Sequence, residues 1–166
     1  MSHKKYMWKK ILTDFIIINL VINAAFYVIN FWDFKGQLTI HAISFDLVFG
    51  LVLLGIFCSL IGFVNIRKDL KKGKVDVISY RPSKMSNYFP KHVLLRVIIL
   101  AILTVSLMFS LFAIIPSLLG VNDINHVIGF SIKTISAGIG ALGIGYVVLD
   151  LSFKDYQKNE VGEAKQ

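Results

Sequence analysis

Apolar residues run along this chain in four long blocks, and the short segments between them gather nearly all the charge. Residues 11–31 hold one charged side chain, Asp14, and residues 43–66 hold only Asp46. Residues 93–115 hold only Arg96 and stop at Pro116, and residues 127–149 hold only Lys133. At ~1.5 Å of helical rise per residue, each block is long enough to cross a hydrocarbon layer roughly 30 Å thick. A surface helix of a soluble domain is apolar along one stripe, whereas these blocks are apolar all round. Lipid offers no partner to a free backbone N–H or C=O, so each block is predicted to be helical. The predicted fold is an all-α integral membrane protein, a bundle of four transmembrane helices forming a single membrane domain over residues 1–166.

Composition sharpens this reading. The chain is 55% apolar and 17% charged, with mean hydropathy +0.68, yet its net charge is +8 from 18 Lys and Arg against 10 Asp and Glu. Soluble domains carry charge on about a quarter of their residues. The shortage, and the clumping of what charge there is, argue against a soluble enzyme, a disordered chain or a nucleic-acid binder. The tail 1–10 holds Lys4, Lys5, Lys9 and Lys10; the loop 67–91 holds eight basic residues; the tail 150–166 holds Lys154, Lys158 and Lys165. The other two loops hold Lys35 alone. Basic residues gather on the cytoplasmic side of membrane helices, so the predicted topology has both termini inside. The first block is too long for a signal-peptide core and no A-x-A-like site follows it, so it is read as a retained span. The expected location is a bacterial cytoplasmic membrane, crossed several times.

The outer connections, 32–42 and 116–126, are short, which predicts helices one and two, and three and four, as antiparallel neighbours. The inner loop 67–91 is interrupted at Pro82 and Pro90 and carries Val75, Val77 and Ile78 among lysines. It is expected to lie against anionic headgroups, with docking of a cytoplasmic partner as the alternative. The two hairpins carry matching fragments: His41-Ala-Ile-Ser-Phe45 opens span two and His126-Val-Ile-Gly-Phe130 opens span four, 85 residues later. A degenerate repeat of two helical hairpins, or chance similarity of apolar sequence, would each leave that trace.

Charge inside a span costs roughly 2.5–3.5 kcal/mol at the helix centre, so the four exceptions are the candidate functional residues. Asp14 and Arg96 each lie three residues into their spans and form a candidate ion pair between helices one and three, or else each points into the inner headgroup layer. Asp46 and Lys133 lie near the outer ends of helices two and four. The long lysine stem lets the two meet at one depth, as a packing bridge or as an ion or substrate site. Asn19, Asn23 and Asn30 fall on one stripe of helix one, where amides facing lipid would lack partners. They are expected to glue helices together or to line a polar pathway with Asp46 and Lys133. Helix four carries small residues on two faces. Gly129, Ser136, Gly140 and Gly143 lie with Lys133 on one, and Gly138, Ala141 and Gly145 on the other, which predicts that helix four is gripped from both sides.

Other chemistry is sparse. The single cysteine, Cys58, rules out an internal disulfide and the cysteine pairs of four-span thiol–quinone oxidoreductases. No span holds the membrane glutamate of four-span multidrug exporters, so neither family is implied. Outer histidines 41 and 126 are read as interfacial residues, and neither metal nor cofactor is expected. No nucleophile stands beside a base, so an enzyme is disfavoured. The leading expectation is a transport or channel-like membrane protein for a small solute or ion, acting as a homo-oligomer or with another membrane protein. The alternative is a non-catalytic accessory, immunity or regulatory subunit that works through helix–helix contacts.

Overall fold

The computed structural model describes residues 1–163, with side chains to Lys158; Lys165 of the basic tail lies outside the described residues. Four helices dominate: α1 His3–Phe31, α2 Ile40–Lys71, α3 Val93–Leu118 and α4 His126–Glu163. All four are long and apolar enough to cross a membrane. Each of the first three contains a wider π-helical stretch, at Ile11–Ile17, Leu54–Cys58 and Ser110–Ile114. Two-residue strands β1 (Leu38–Thr39) and β2 (Asp123–Ile124) pair antiparallel, Leu38 opposite Ile124. They clasp the two hairpin connections together at the end away from the chain termini.

Local chemistry sets the helix ends. Thr39 Oγ1 accepts from the Ala42 N–H at 3.1 Å and caps α2, and Asn125 Oδ1 does the same for Ile128 at the start of α4. Gly73 and Gly120 follow α2 and α3 with φ of +65° and +79°, a left-handed turn that a side chain disfavours.

Helix α4 is the hub: α1 packs along one side of it and α2 along another, while α3 lies mainly on α2. This corrects the expectation drawn from loop length, because α1 neighbours α4 rather than its own hairpin partner. A short loop constrains the distance between two helix ends but leaves their flanks free to splay. The small residues of α4 explain the choice. A Cβ on Gly145 would stand 2.9 Å from Phe15 Cγ of α1, and one on Gly138 would stand 3.2 Å from Leu20 Cδ2. Across the helix, a Cβ on Gly140 would meet Thr104 of α3 at 3.0 Å, and one on Gly129 would meet Ile43 of α2 at 2.5 Å. Ala141 and Ser136 are fully buried. Gly143 is the exception: it is exposed with open space where a Cβ would go, so it belongs to neither packing face.

The terminal end is built differently from a free loop and tail. Helix α4 continues through residues 150–163 and buries Leu151 and Phe153 completely. The 67–91 loop folds back onto these turns. Val75 and Val77 are buried, and the Tyr80 ring meets Phe153 edge-on at 5.0 Å. The Tyr80 hydroxyl donates to Asp150 at 2.6 Å, Gln157 donates to the Val77 and Tyr80 carbonyls, and Lys154 donates to the Ser86 carbonyl. The apolar islands of the loop are thus core residues of a cap. Exposed Ile78, Met85 and Tyr88 are the ones left for other surfaces.

Candidate functional site

Because α1 leans on α4, it meets α2 through few side chains, and a groove is left between the two helices. Phe15 touches Gly62, Asn19 Nδ2 donates to Cys58 Sγ at 2.9 Å, and Asn30 Nδ2 donates to Asp46 Oδ1 at 2.6 Å. Two cavities fill the remaining space. The one nearer the clasp, about 340 Å³, is lined by Asn19, Asn23, Asn30, Asp46 and Lys133 among apolar residues. The one nearer the termini, about 190 Å³, is lined by Asp14, Asn19 and Asn65. They share Asn19, Ile22, Phe57 and Cys58, and the Asn19–Cys58 bond stands where they adjoin, so the groove has two chambers. From Asp14 to Asn30 it follows sixteen residues of helix, ~24 Å, most of the thickness of a hydrocarbon layer.

Lys133 anchors the deep wall. It is 1% exposed, its ammonium binds Asp46 Oδ2, and it lies 5.9 Å from the centre of the Phe26 ring. A lysine this buried needs a counter-charge, and Asp46 provides it one helix away. Gly50 makes room, since a Cβ there would stand 2.9 Å from Asn23 Oδ1 and 3.9 Å from the Lys133 stem.

The asparagines occupy this wall in a consistent way. Asn19 Nδ2 donates to the Phe15 carbonyl at 2.7 Å and Asn23 Nδ2 to the Asn19 carbonyl at 3.0 Å. Those acceptors fix which end of each amide is nitrogen. Each asparagine amide on the α1 stripe therefore donates at least one N–H to protein, and the carbonyl oxygens of Asn19 and Asn23 take no bond among the described residues. Neither oxygen is sealed from its surroundings, and both residues line the groove.

The candidate pair Asp14–Arg96 does not form. Asp14 binds Lys10, one turn before it, at 2.6 Å and accepts from Thr13. Arg96, buried, holds Asp155 of α4 through two nitrogens at 2.6 and 3.0 Å and donates to the Pro90 carbonyl. Equal depth was a poor guide, because each charge found a nearer partner: an i, i+4 lysine for Asp14, and an aspartate on the extended α4 for Arg96. Sequence reasoning also passed over Asp69, which gathers Tyr6, Lys10 and Lys74 within 2.6–3.1 Å. It missed Asp150 and Asp155 as well. Their signal was present as acids spaced along a continued amphipathic α4. His126 sets its ring against the Phe34 carbonyl at 3.0 Å, and among the described residues no three His, Cys, Asp or Glu side chains converge. Comparison with protein-family models, with curated proteins and with solved structures finds no match to this chain.

Proposed function

We propose that the chain is a multi-pass protein of the cell membrane, with both termini cytoplasmic, that moves a small solute or ion along the groove between α1 and α2. The observation that carries this reading is the alignment of polar groups, Asp14, Asn19, Asn23, Asn30, Asp46 and Lys133, along two adjoining cavities between the same two helices. Asparagines serving only as glue would be bonded at both ends to neighbouring helices, whereas the Asn19 and Asn23 oxygens accept no bond among the described residues. Asp46 would gate the outer end, since a passing cation or donor must share it with Lys133 and Asn30.

Reconstitution in liposomes tests the proposal. Influx of rubidium and methylammonium should depend on the protein, and Asp46→Asn should lower it at least tenfold while the helical content stays intact. Protein-dependent flux that ignores Asp46 removes that residue from the route. A second reading, an accessory subunit acting by helix contact, draws on one observation. Helix α4 leaves Ile135, Ile139, Leu142 and Tyr146 exposed beside the open space at Gly143. Under that reading, Leu142→Asn would abolish co-purification with a membrane partner and leave flux untouched.

A further inference from the structure

The groove has one chemical preference along most of its length. Most of its donor groups are engaged: Lys133 is held by Asp46, Lys10 by Asp14 and Asp69, and the amides of Asn19, Asn23 and Asn30 donate to carbonyls, a thiol or a carboxylate. The second amide N–H of Asn23 and of Asn30, and exposed Asn65 at the end nearer the termini, take no bond among the described residues. The acceptors keep capacity: Asn19 Oδ1 and Asn23 Oδ1 take no bond among the described residues, and the partly exposed Asp46 carboxylate, bound by Asn30 and Lys133, retains further lone pairs. Phe26, Phe49 and Phe57 line the same space, and the position of the Lys133 ammonium over Phe26 shows how such a ring receives a cation. Unbonded acceptors, a carboxylate and aromatic faces recognise an ammonium, and the Asp46 carboxylate opposes a phosphate or sulfate.

The rim defines the rest of the ligand. Ile18, Ile22 and Phe26 on α1 face Phe49, Phe57 and Ile61 on α2, all 42–58% exposed, so the groove opens sideways through an apolar edge. A guest bound by its head against the asparagines would lay an apolar body through that opening. We propose that the groove binds a cationic amphiphile, a protonated amine carrying an alkyl or aryl chain, through Asn19, Asn23 and Asp46. The Lys133 ammonium is its tethered competitor for Asp46. This inference rests on the groove being the working site of the transport reading and names the class of molecule it takes.

Photolabelling in nanodiscs of zwitterionic lipid tests it, with a diazirine-bearing decylammonium probe and the matched decyl sulfate probe, and adducts mapped by peptide mass spectrometry. The ammonium probe should label the α1–α2 rim at least tenfold more than the sulfate probe, and unlabelled decylammonium should compete. A hydrogen bond to a charged group is strong enough that Asn19→Leu with Asn23→Leu should cut this labelling tenfold or more. Lys133→Met, which frees Asp46, should raise it several-fold. Opposite responses of two variants cannot both come from misfolding. Equal labelling by the two probes, or labelling unmoved by either variant, overturns the inference. So does exclusion of both probes by a second copy of the chain seated in the groove, seen as a dimer mass. Selective labelling without Asp46-dependent flux would keep the cation site and retire transport. Asp46-dependent flux without selective labelling would do the reverse.

Discussion

The Asp46–Lys133 pair allows a quantitative test through a double-mutant cycle. In Asp46→Asn the Lys133 ammonium, 1% exposed on α4, loses its counter-charge. A lysine left alone in hydrocarbon costs roughly 2.5–3.5 kcal/mol at a helix centre. Lys133 lies near one end of α4, and its stem leans toward that end, so the expected loss of stability is about 2–3 kcal/mol. Lys133→Met keeps the stem and removes the charge. Asp46 is then left with Asn30 at 2.6 Å and partial exposure, for a loss of about 1 kcal/mol. The double variant buries neither charge and should sit within about 1 kcal/mol of the parent, because an apolar replacement of a buried pair is often neutral. The coupling energy is therefore expected at about 2–4 kcal/mol, well above the ~0.6 kcal/mol of an ordinary hydrogen bond between membrane helices. Reversible unfolding in mixed micelles, followed by circular dichroism, measures all four corners of the cycle. Additive losses, with coupling at or below that ordinary value, would refute the reasoning and show that Lys133 reaches water without Asp46.

Two further outcomes follow from other parts of the fold. Gly145→Ala should lose about 1–3 kcal/mol in the same assay, because the new Cβ meets Phe15 Cγ at 2.9 Å and the ring cannot retreat from Gly62 behind it; Gly143→Ala, over open space, should change stability by less than about 0.5 kcal/mol. Burial, and then the bond to Asp150, raise the Tyr80 hydroxyl above the ordinary tyrosine value near 10, so the folded cap holds that proton more tightly than the unfolded chain. Its contribution is complete below pH ~10 and is lost as pH rises beyond it. Cleavage of the 67–91 loop by a broad-specificity alkaline protease should accelerate in that range, and Tyr80→Phe should abolish the added alkaline sensitivity.

What could be read from residues alone divides along physical lines. Four long apolar helices were legible because crossing hydrocarbon demands some twenty apolar residues in a row, a pattern conspicuous in the sequence. The groove residues were legible because a polar group inside such a run is costly enough to be conspicuous: Asp46, Lys133 and the three asparagines come together on facing helices. Partner choice was not legible where several charges of similar reach compete, as with Asp14, Lys10, Arg96 and Asp155. Helix adjacency was hidden for a related reason. It depends on Gly145 and Gly138 of α4 receiving Phe15 and Leu20 of α1, a steric match between residues more than a hundred positions apart. The β1–β2 clasp, two residues long on each side, is too short to leave any periodicity.

The lean of α1 on α4 also sets an order of assembly. Its principal partner begins at His126, roughly ninety-five residues after α1 ends, so translation at ~5–20 residues per second separates the two by several seconds or more. Through that interval Asn30 can reach Asp46, but Asp46 lacks Lys133, and Phe15 lacks the Gly145 side of its socket. The first hairpin alone has the bonds of α1 to Asp46, Cys58 and Asp69 but lacks the packing of α1 on α4. The groove is therefore a late product of folding, formed only when the last helix arrives to close its back wall.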